Sequence, residues 1–283
     1  MKKQMDRRDF LKRTGFGVVS LSTCMRSDAN AAWKDRPNVI YIMTDQQRKD
    51  TLRCYGNNNV LTPSLDGLAR RGVLFTSCYA TQPVCSPCRS SMVTGLFPNA
   101  TGVVENNIPL AASKFSWMRE MHKAGYKVCY IGKWHLGTDP VPDYLDRWRG
   151  FDTGWKHWIK DEPYYPQPGQ FESEFRKKLK GKSRPAPSGD SLIGRYRPDM
   201  ETDHAIEFIA ENRNRPFVCW LSFYPPHTPK TAPPENEALY KGKIEPEEQA
   251  VYHAMVNRLD ANIGRLLEAV DRLQLRRNTI IVF

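Results

Sequence analysis

The sequence predicts an α/β protein with a mostly parallel sheet and helices on both faces. Short apolar runs that lack alternation indicate strands buried on both sides, as in parallel sheets. These runs alternate along the chain with helical patterns, the order that builds a doubly covered sheet. Polar residues able to carry chemistry follow three of the predicted strands, and folds of this kind bind their ligands at that edge.

The first part of the chain has the pattern of a strand, a helix and a second strand. Residues 38–44 form an apolar run between a proline and an aspartate, which we interpret as the first strand. We predict a short helix over residues 62–71, because Thr-Pro is a typical helix start and Gly72 a typical helix stop. Residues 73–77 are the second predicted strand.

The remaining elements alternate in the same way. We predict helices over residues 115–124, 202–212 and 247–273, and strands over residues 126–131, 217–223 and 279–283. The last helix carries an apolar stripe made of Val251, Met255, Leu259, Ile263, Leu266, Leu267 and Val270.

Residues 153–200 interrupt this alternation as a long inserted excursion. They are rich in Pro, Lys, Tyr and Trp and show no periodicity, and segments of this length are usually functional or disordered. The excursion contains four aromatic residues that either stack on sugar rings or pack onto the domain, and both interpretations stay open: Trp155, Trp158, Tyr164 and Tyr165.

Composition excludes several classes of protein. The chain has 283 residues, with 40% apolar and 26% charged residues, which is globular composition for one large domain or two ordinary ones. Residues 1–31 carry +4 of the formal charge of +11, and the remaining +7 suits an anionic substrate. No long basic run or zinc-finger spacing is present, so we expect no nucleic-acid partner. No apolar run reaches the roughly 18 residues of a spanning helix, so we expect no stable membrane span. Seven irregularly spaced cysteines do not indicate a disulfide framework.

Residues 1–31 resemble a twin-arginine export signal. Arg7 and Arg8 precede a weakly apolar stretch over residues 14–23, and an Ala-Asn-Ala cleavage motif ends at residue 31. Two alternatives are a basic, frayed N-terminal helix and a lipoprotein anchor at Cys24. We therefore expect an exported, periplasmic or secreted protein whose folded part is residues 32–283.

Three groups of polar residues follow predicted strands. Asp45-Gln46 follows the first strand, Lys133 and His135 follow the third, and His227 follows the fourth. The carboxyl ends of parallel strands meet at one edge, so these groups should converge there, which suits a hard cation beside an anion. Taken singly, the aspartate could be a helix cap, the lysine a solvated side chain, and each histidine a structural one.

A cysteine-containing segment supplies a nucleophile candidate. Cys85 lies in a predicted loop before a helix that starts near Arg89. A helix N-terminus and a guanidinium both favour the thiolate, which is the nucleophilic form. Cys85 and Cys88 also fit a redox pair or half of a metal knuckle, but no thioredoxin-like pattern or second cysteine pair accompanies them.

The sequence resembles the formylglycine-dependent sulfatases of the alkaline-phosphatase-like superfamily. The resemblance covers nearly all of residues 36–283 and is carried by four segments: Cys85-x-Pro87-x-Arg89 with Thr94-Gly95, Thr62-Pro63-Ser64-Leu65-Asp66, Gly132-Lys133-Trp134-His135-Leu136-Gly137 and Pro226-His227-Thr228-Pro229. It implies hydrolysis of a sulfate-ester small molecule or a sulfated glycan, and we favour a carbohydrate sulfate.

The resemblance also implies the cofactors. Cys85 would be converted to Cα-formylglycine by a formylglycine-generating maturation enzyme, and calcium would be the metal ion. Asp45 would be a metal ligand together with an oxygen of modified residue 85. Gln46 stands where the family commonly has a second aspartate and would offer a neutral oxygen.

The remaining roles follow from the same resemblance. Arg89 would hold the formylglycine, Lys133 and His227 would bind sulfate oxygens, and His135 would take a proton as sulfate is expelled. In the family further metal ligands follow the strand that matches residues 279–283, so we expect this chain to be the N-terminal part of the domain. Two alternatives remain: a phosphonate monoester or phosphodiester hydrolase of the same superfamily, and an inactive glycan-binding fragment.

Overall fold

A five-stranded parallel sheet forms the centre of the computed structural model, which describes residues 36–138, 140–152, 157–159 and 194–283. Numbered in chain order, the strands are β1 (Asn38–Met43), β2 (Lys127–Lys133), β3 (Arg147–Phe151), β4 (Trp158–Ile159), β5 (Arg195–Tyr196), β6 (Phe217–Ser222) and β7 (Thr279–Val282). The central sheet has the order β3-β2-β6-β1-β7, and β4 and β5 form a separate antiparallel pair.

Seven α-helices occur in the part of the chain that the structure describes. They are α1 (Pro63–Arg71), α2 (Cys85–Thr94), α3 (Pro98–Thr101), α4 (Trp117–Lys123), α5 (Arg197–Glu211), α6 (Pro234–Glu237) and α7 (Glu247–Arg272). Short 3-10 turns cover Lys49–Thr51, Arg53–Tyr55 and Arg276–Asn278. None of these helices is both long and apolar enough to cross a bilayer.

Both faces of the sheet are covered, as the sequence predicts. Ile40 and Ile42 pack with apolar residues of α1, α5 and α7 on one face. Val39 and Tyr41 point the other way, into a core that includes residues of α2 and α4. Successive residues of a strand face opposite sides, so a continuous apolar run feeds both cores. The predicted fold class is confirmed.

The register of the sheet brings three strand ends to one level. Ser222 at the end of β6 pairs with Met43 of β1 and with Gly132 of β2. Gly132 has φ of +96°, and a Cβ at this position would overlap the Ser222 carbonyl. Only glycine allows β2 to turn this tightly against β6, and the turn places Lys133 beside the ends of β1 and β6.

One predicted strand is absent, and one strand of the central sheet was not predicted. Residues 73–77 form no strand, and the whole of 71–80 is exposed. The carbonyls of Phe75 and Thr76 instead accept hydrogen bonds from the side chains of Tyr55 and Lys49. The missed strand is β3, which pairs with β2 at the sheet edge. Its sequence, Arg-Trp-Arg-Gly-Phe, lacks the apolar run of a buried strand.

The other predicted elements are confirmed within a few residues, apart from the start of the helix predicted over 202–212. That helix begins at Arg197, inside the range assigned to the excursion. Of residues 153–200, the structure describes 157–159 and 194–200, where β4 and β5 pair. Trp158 lies in this pair, packs 5.2 Å from the ring of Tyr196 and donates to Thr231 at 3.2 Å. Trp155, Tyr164 and Tyr165 lie outside the described residues, as do residues 1–31.

Candidate active site

Asp45 lies at the centre of a buried ionic cluster beyond the end of β1. Its Oδ2 accepts from the ammonium of Lys133 at 2.6 Å and from the guanidinium of Arg89 at 3.1 Å. The three side chains are 6%, 3% and 1% exposed, respectively. Three segments far apart in sequence therefore converge at the sheet edge, as the strand-end argument predicts.

The two cations control the ionisation of Asp45. Burial by itself would raise the pKa of this carboxyl, but the charges of Arg89 and Lys133 outweigh burial and lower the pKa to about 2. Asp45 is therefore an anion at neutral pH. One carboxylate compensates two buried cations, so this cluster keeps an excess of positive charge.

Cys85 is the first residue of α2, so the prediction that the helix starts near Arg89 was wrong. Its Sγ accepts from the Lys133 ammonium at 3.3 Å and lies 3.7 Å from Oδ1 of Asp45. The next backbone N–H, that of Ser86, donates to the side chain of Asn106 at 2.9 Å. The thiol is thus held at a helix N-terminus beside an ammonium group, a setting that favours anions.

Arg89 is fixed by acceptors and hydroxyl groups from two strands. Its Nη1 donates to the carbonyl of Lys133 and, at 2.8 Å, to the hydroxyl of Ser222. The hydroxyls of Ser222 and Tyr130 also donate to the Lys133 carbonyl, at 2.8 and 2.5 Å. This network holds the backbone from which the Lys133 side chain reaches Asp45.

His135 lies beside the cluster in a strained backbone conformation. It has φ of +59°, in the left-handed region that non-glycine residues rarely adopt, and its Nε2 lies 3.3 Å from Oδ1 of Asn107, whose φ is +68°. Burial and the charges of Lys133 and Arg89 lower the pKa of His135 to about 3. The imidazole is therefore neutral at pH 7. Unusual backbone geometry of this kind often marks functional sites.

His227 completes the group. A ring nitrogen of His227, the Cys85 sulfur and an Asp45 oxygen all lie within 4.8 Å of one another. The His227 ring stacks on Tyr224 with centroids 4.7 Å apart. All five predicted catalytic residues thus lie at one edge of the sheet.

Gln46 is placed differently from the other predicted residues. Its side chain is exposed, and its backbone has φ of +60°. The described contact of Gln46 is made by its carbonyl, which accepts from the hydroxyl of Tyr252 at 3.0 Å. Its role as a metal ligand stays a prediction.

The described residues do not by themselves fit a calcium ion. Calcium binds six to eight oxygens and favours carboxylates. This cluster offers one carboxylate that already contacts two cations, together with a thiol and an imidazole, which are softer ligands. The donor set of the unmodified chain is better matched to an anion than to a hard cation.

Sequence reasoning missed the residues that support the site. Asn106 and Asn107 come from a loop with no strand or helix pattern, so no periodicity pointed to them. Tyr130 and Ser222 lie inside apolar strands, so the sequence predicts only that they are part of the core. His157 donates from Nε2 to the His227 carbonyl at 3.0 Å, although it belongs to the excursion.

Comparison with known proteins identifies the family. A family model named Sulfatase matches residues 37–283, nearly the whole described part of the chain. The chain belongs to the sulfatase family. This sulfatase-family chain is 32% identical over 276 residues to an ulvan-active sulfatase of Formosa agariphila, covering 88% of this chain and 50% of that protein. It is 29% identical to an N-acetylglucosamine-6-O-sulfatase of Bacteroides thetaiotaomicron, covering 81% of this chain and 37% of that protein.

Solved structures share the same fold. Ps i-CgsB matches with a TM-score of 0.72 at 25% identity, covering 87% of this chain and 57% of that one. The Bacteroides fragilis protein yidJ matches with a TM-score of 0.71 at 25% identity, covering 92% and 63%. The sulfatase-family chain therefore spans about half the length of its curated relatives and about three fifths of these structures.

Proposed function

We propose that this chain carries the sulfate-binding and reacting groups of a sulfatase that hydrolyses sulfuric esters, R–O–SO₃⁻. The observation that carries the proposal is the buried excess of positive charge formed by Lys133 and Arg89 around one carboxylate, Asp45. A buried cation without full compensation is costly, and a bound sulfate group would offset that cost. Membership of the sulfatase family supports sulfate as the anion.

The described side chains have separate roles in sulfate binding and in proton transfer. The Lys133 ammonium and the His227 ring, as an imidazolium, donate hydrogen bonds to oxygens of the sulfate group. Arg89 holds residue 85 and Asp45 in place through its buried guanidinium. His135, neutral at pH 7 because its pKa is about 3, accepts the proton that is released when sulfate leaves.

Residue 85 acts, in this proposal, after conversion of Cys85 to Cα-formylglycine by a maturation enzyme. The hydrated aldehyde supplies a nucleophilic hydroxyl and a second hydroxyl through which sulfate is expelled. Peptide mass spectrometry of the native protein is expected to show residue 85 lighter by the difference between a thiol and an aldehyde. Cys88, three residues further along the same helix, is the internal control and should keep its thiol mass.

A carbohydrate sulfate is the substrate class that we favour. The two relatives described above are named for activity on ulvan and on N-acetylglucosamine-6-O-sulfate.

The experiment that tests the reaction compares two esters with the same leaving group. The native protein, produced with its maturation enzyme, is expected to hydrolyse an aryl sulfate or a sulfated monosaccharide with much higher kcat/KM than the corresponding phosphate. Equal or greater activity on the phosphate or on a phosphonate monoester would overturn the assignment in favour of the related hydrolases.

We also propose that the protein is exported through the twin-arginine route. The support is the order of Arg7-Arg8, the apolar stretch and the Ala-Asn-Ala motif in residues 1–31. Replacing both arginines by lysine is expected to retain a fused reporter in the cytoplasm. Unchanged export of the reporter would contradict this route.

A further inference from the structure

Three aromatic rings form a stack behind the candidate active site. The His227 ring lies on Tyr224, with centroids 4.7 Å apart and planes at 25°. The opposite neighbour of Tyr224 is His157, with centroids 4.9 Å apart and planes at 24°. His157 and Tyr224 are 2% and 1% exposed, so the two supporting rings are buried.

A hydrogen bond closes this stack. Nε2 of His157 lies 3.0 Å from the backbone carbonyl of His227. A carbonyl can only accept, so Nε2 of His157 must carry the hydrogen. His157 therefore fixes His227 in two ways: through the ring stack and through the backbone of the same residue.

The orientation of the His227 ring is defined further by its own neighbour in the chain. Nδ1 of His227 lies 2.8 Å from the carbonyl of Thr228, which again can only accept. This bond assigns the hydrogen to Nδ1. Nε2 is then the nitrogen with which His227 can meet a ligand, and it donates to an anion when it also carries a hydrogen.

Tyr224 also contacts the second proposed sulfate-binding group. The ammonium of Lys133 lies 5.2 Å from the centroid of the Tyr224 ring, within the range of a cation–π interaction. The hydroxyl of Tyr224 donates to the Thr228 carbonyl at 2.7 Å, so the ring is anchored at its far end. One buried ring thus adjoins both Lys133 and His227.

We propose that His157 and Tyr224 are positioning residues that hold the His227 ring in one orientation, from which a hydrogen on its Nε2 is donated to the sulfate group of the substrate. The nature of the ligand rests on the function proposed above, whereas the positioning of the ring does not. A phenylalanine at position 157 would fill the same space and preserve the stack. Burying an imidazole instead is costly unless its N–H is used, and here that N–H bonds to the His227 carbonyl.

Three variants separate the N–H group from the packing. H157F keeps an aromatic ring and removes the donor, whereas H157Q keeps an N–H donor. W158F is the matched control, because Trp158 adjoins His157 and bonds to Thr231 but does not belong to the stack. In the full native protein, H157F is expected to raise KM for a sulfate ester about tenfold with little change in kcat, because a bond that orients a binding group is lost. The inhibition constant of inorganic sulfate should rise by the same factor.

The other two variants define a positioning role. H157Q should recover most of the KM, and W158F should match the wild type. If W158F raises KM as much as H157F does, the segment has a packing role only and the proposal is wrong. Should H157F fail to fold, Y224L, which removes the central ring, takes its place with the same expected rise in KM.

A spectroscopic measurement tests the positioning without relying on activity. Nitrogen-15 NMR of histidine-labelled protein should show a hydrogen on Nδ1 of His227 that exchanges slowly with water, in the wild type and in W158F. In H157F, or in Y224L in its place, this hydrogen should exchange faster, because the ring is no longer held against the Thr228 carbonyl.

The outcomes distinguish the two proposals. A wild type that hydrolyses sulfate esters, with KM and the NMR signals unchanged in H157F, would overturn the positioning role alone. A wild type that hydrolyses no sulfate ester would overturn the proposed function, and the NMR comparison would then decide the positioning role.

Discussion

Asp45 illustrates how one buried carboxylate stabilises two buried cations. It is buried, ionised and bonded to two cations, Lys133 and Arg89. Removing one partner of a buried ion pair leaves the remaining charge in a medium that solvates it poorly. The carboxylate therefore has a structural role that is independent of any metal ion.

Replacing this carboxylate by an amide provides the first test. D45N is expected to lower the free energy of unfolding by about 3 kcal/mol, because it leaves two buried cations without a counter-charge. The measurement is urea denaturation at neutral pH. D271N is the matched control, since Asp271 pairs with Arg276 at the surface, and it should change stability by less than about 1 kcal/mol. Equal effects of the two substitutions would contradict a buried ionic cluster.

The folded protein should lose stability in acid through His135 before Asp45 is protonated. The pKa of His135 is lowered from 6.5 to about 3 by burial and by Lys133 and Arg89. Below pH 6.5, His135 therefore binds a proton in the unfolded chain but stays neutral in the folded chain. The free energy of unfolding falls for this reason as the pH decreases from 6.5 toward 3. Asp45, with a folded pKa of about 2 against 3.8, adds a further loss as the pH falls from 3.8 through 2.

The variant H135Q should flatten the first part of this pH dependence. The free energy of unfolding, measured at several pH values between 4 and 7, is expected to change less with pH in H135Q than in the wild type. An unchanged slope in H135Q would show that this imidazole is already protonated in the folded state.

At the scale of the element, the tight approach of β2 and β6 depends on Gly132. A side chain at this position would overlap the Ser222 carbonyl and would need φ of +96°. G132A is therefore expected to cost more than about 3 kcal/mol or to prevent folding. G242A is the control: its φ is +70° but nothing lies within 4 Å of a Cβ, so it should cost about 1 kcal/mol. Similar thermal denaturation of the two variants would contradict the close contact.

The strands that could be predicted from sequence are those that form a continuous apolar run. β1, β2 and β6 lie between neighbours in the sheet and have apolar residues on both faces, so their sequences are continuous apolar runs. β7 lies at one edge of the described sheet and was predicted from its apolar run, whereas β3, at the other edge, was missed because its sequence carries two arginines. Residues 73–77 have the composition of a strand, but composition does not reveal whether a neighbouring strand is present to bond with.

At the scale of the whole molecule, the candidate site could be predicted because parallel strands bring their carboxyl ends together. That rule, applied to Asp45, Lys133 and His227, needed only the strand positions. Asn106, Asn107 and His157 could not be found in this way, because loops follow no period and their contacts depend on tertiary packing. Residues that support a site are for this reason harder to predict from sequence than the residues that follow the strands.

Calcium binding would need more ligands than the described residues supply. The described residues supply one carboxylate, and Lys133 and Arg89 already contact it. We therefore expect isothermal titration calorimetry of residues 32–283 to show no calcium binding at micromolar concentration, because calcium needs several further oxygens. Magnesium is the control ion and should behave in the same way. Micromolar calcium affinity of this chain would show that the described ligands suffice.

The release of inorganic sulfate tests the central claim most directly, namely that residue 85 and the cationic cluster around it hydrolyse a sulfuric ester. Sulfate release from a sulfated sugar would be measured for the native protein, for C85A and for C88A, each produced with the maturation enzyme. The account predicts turnover by the native protein, turnover by C88A within a few-fold of it, and no detectable turnover by C85A. Sulfate release by C85A at the native rate would contradict the account, because the reacting group would then lie elsewhere.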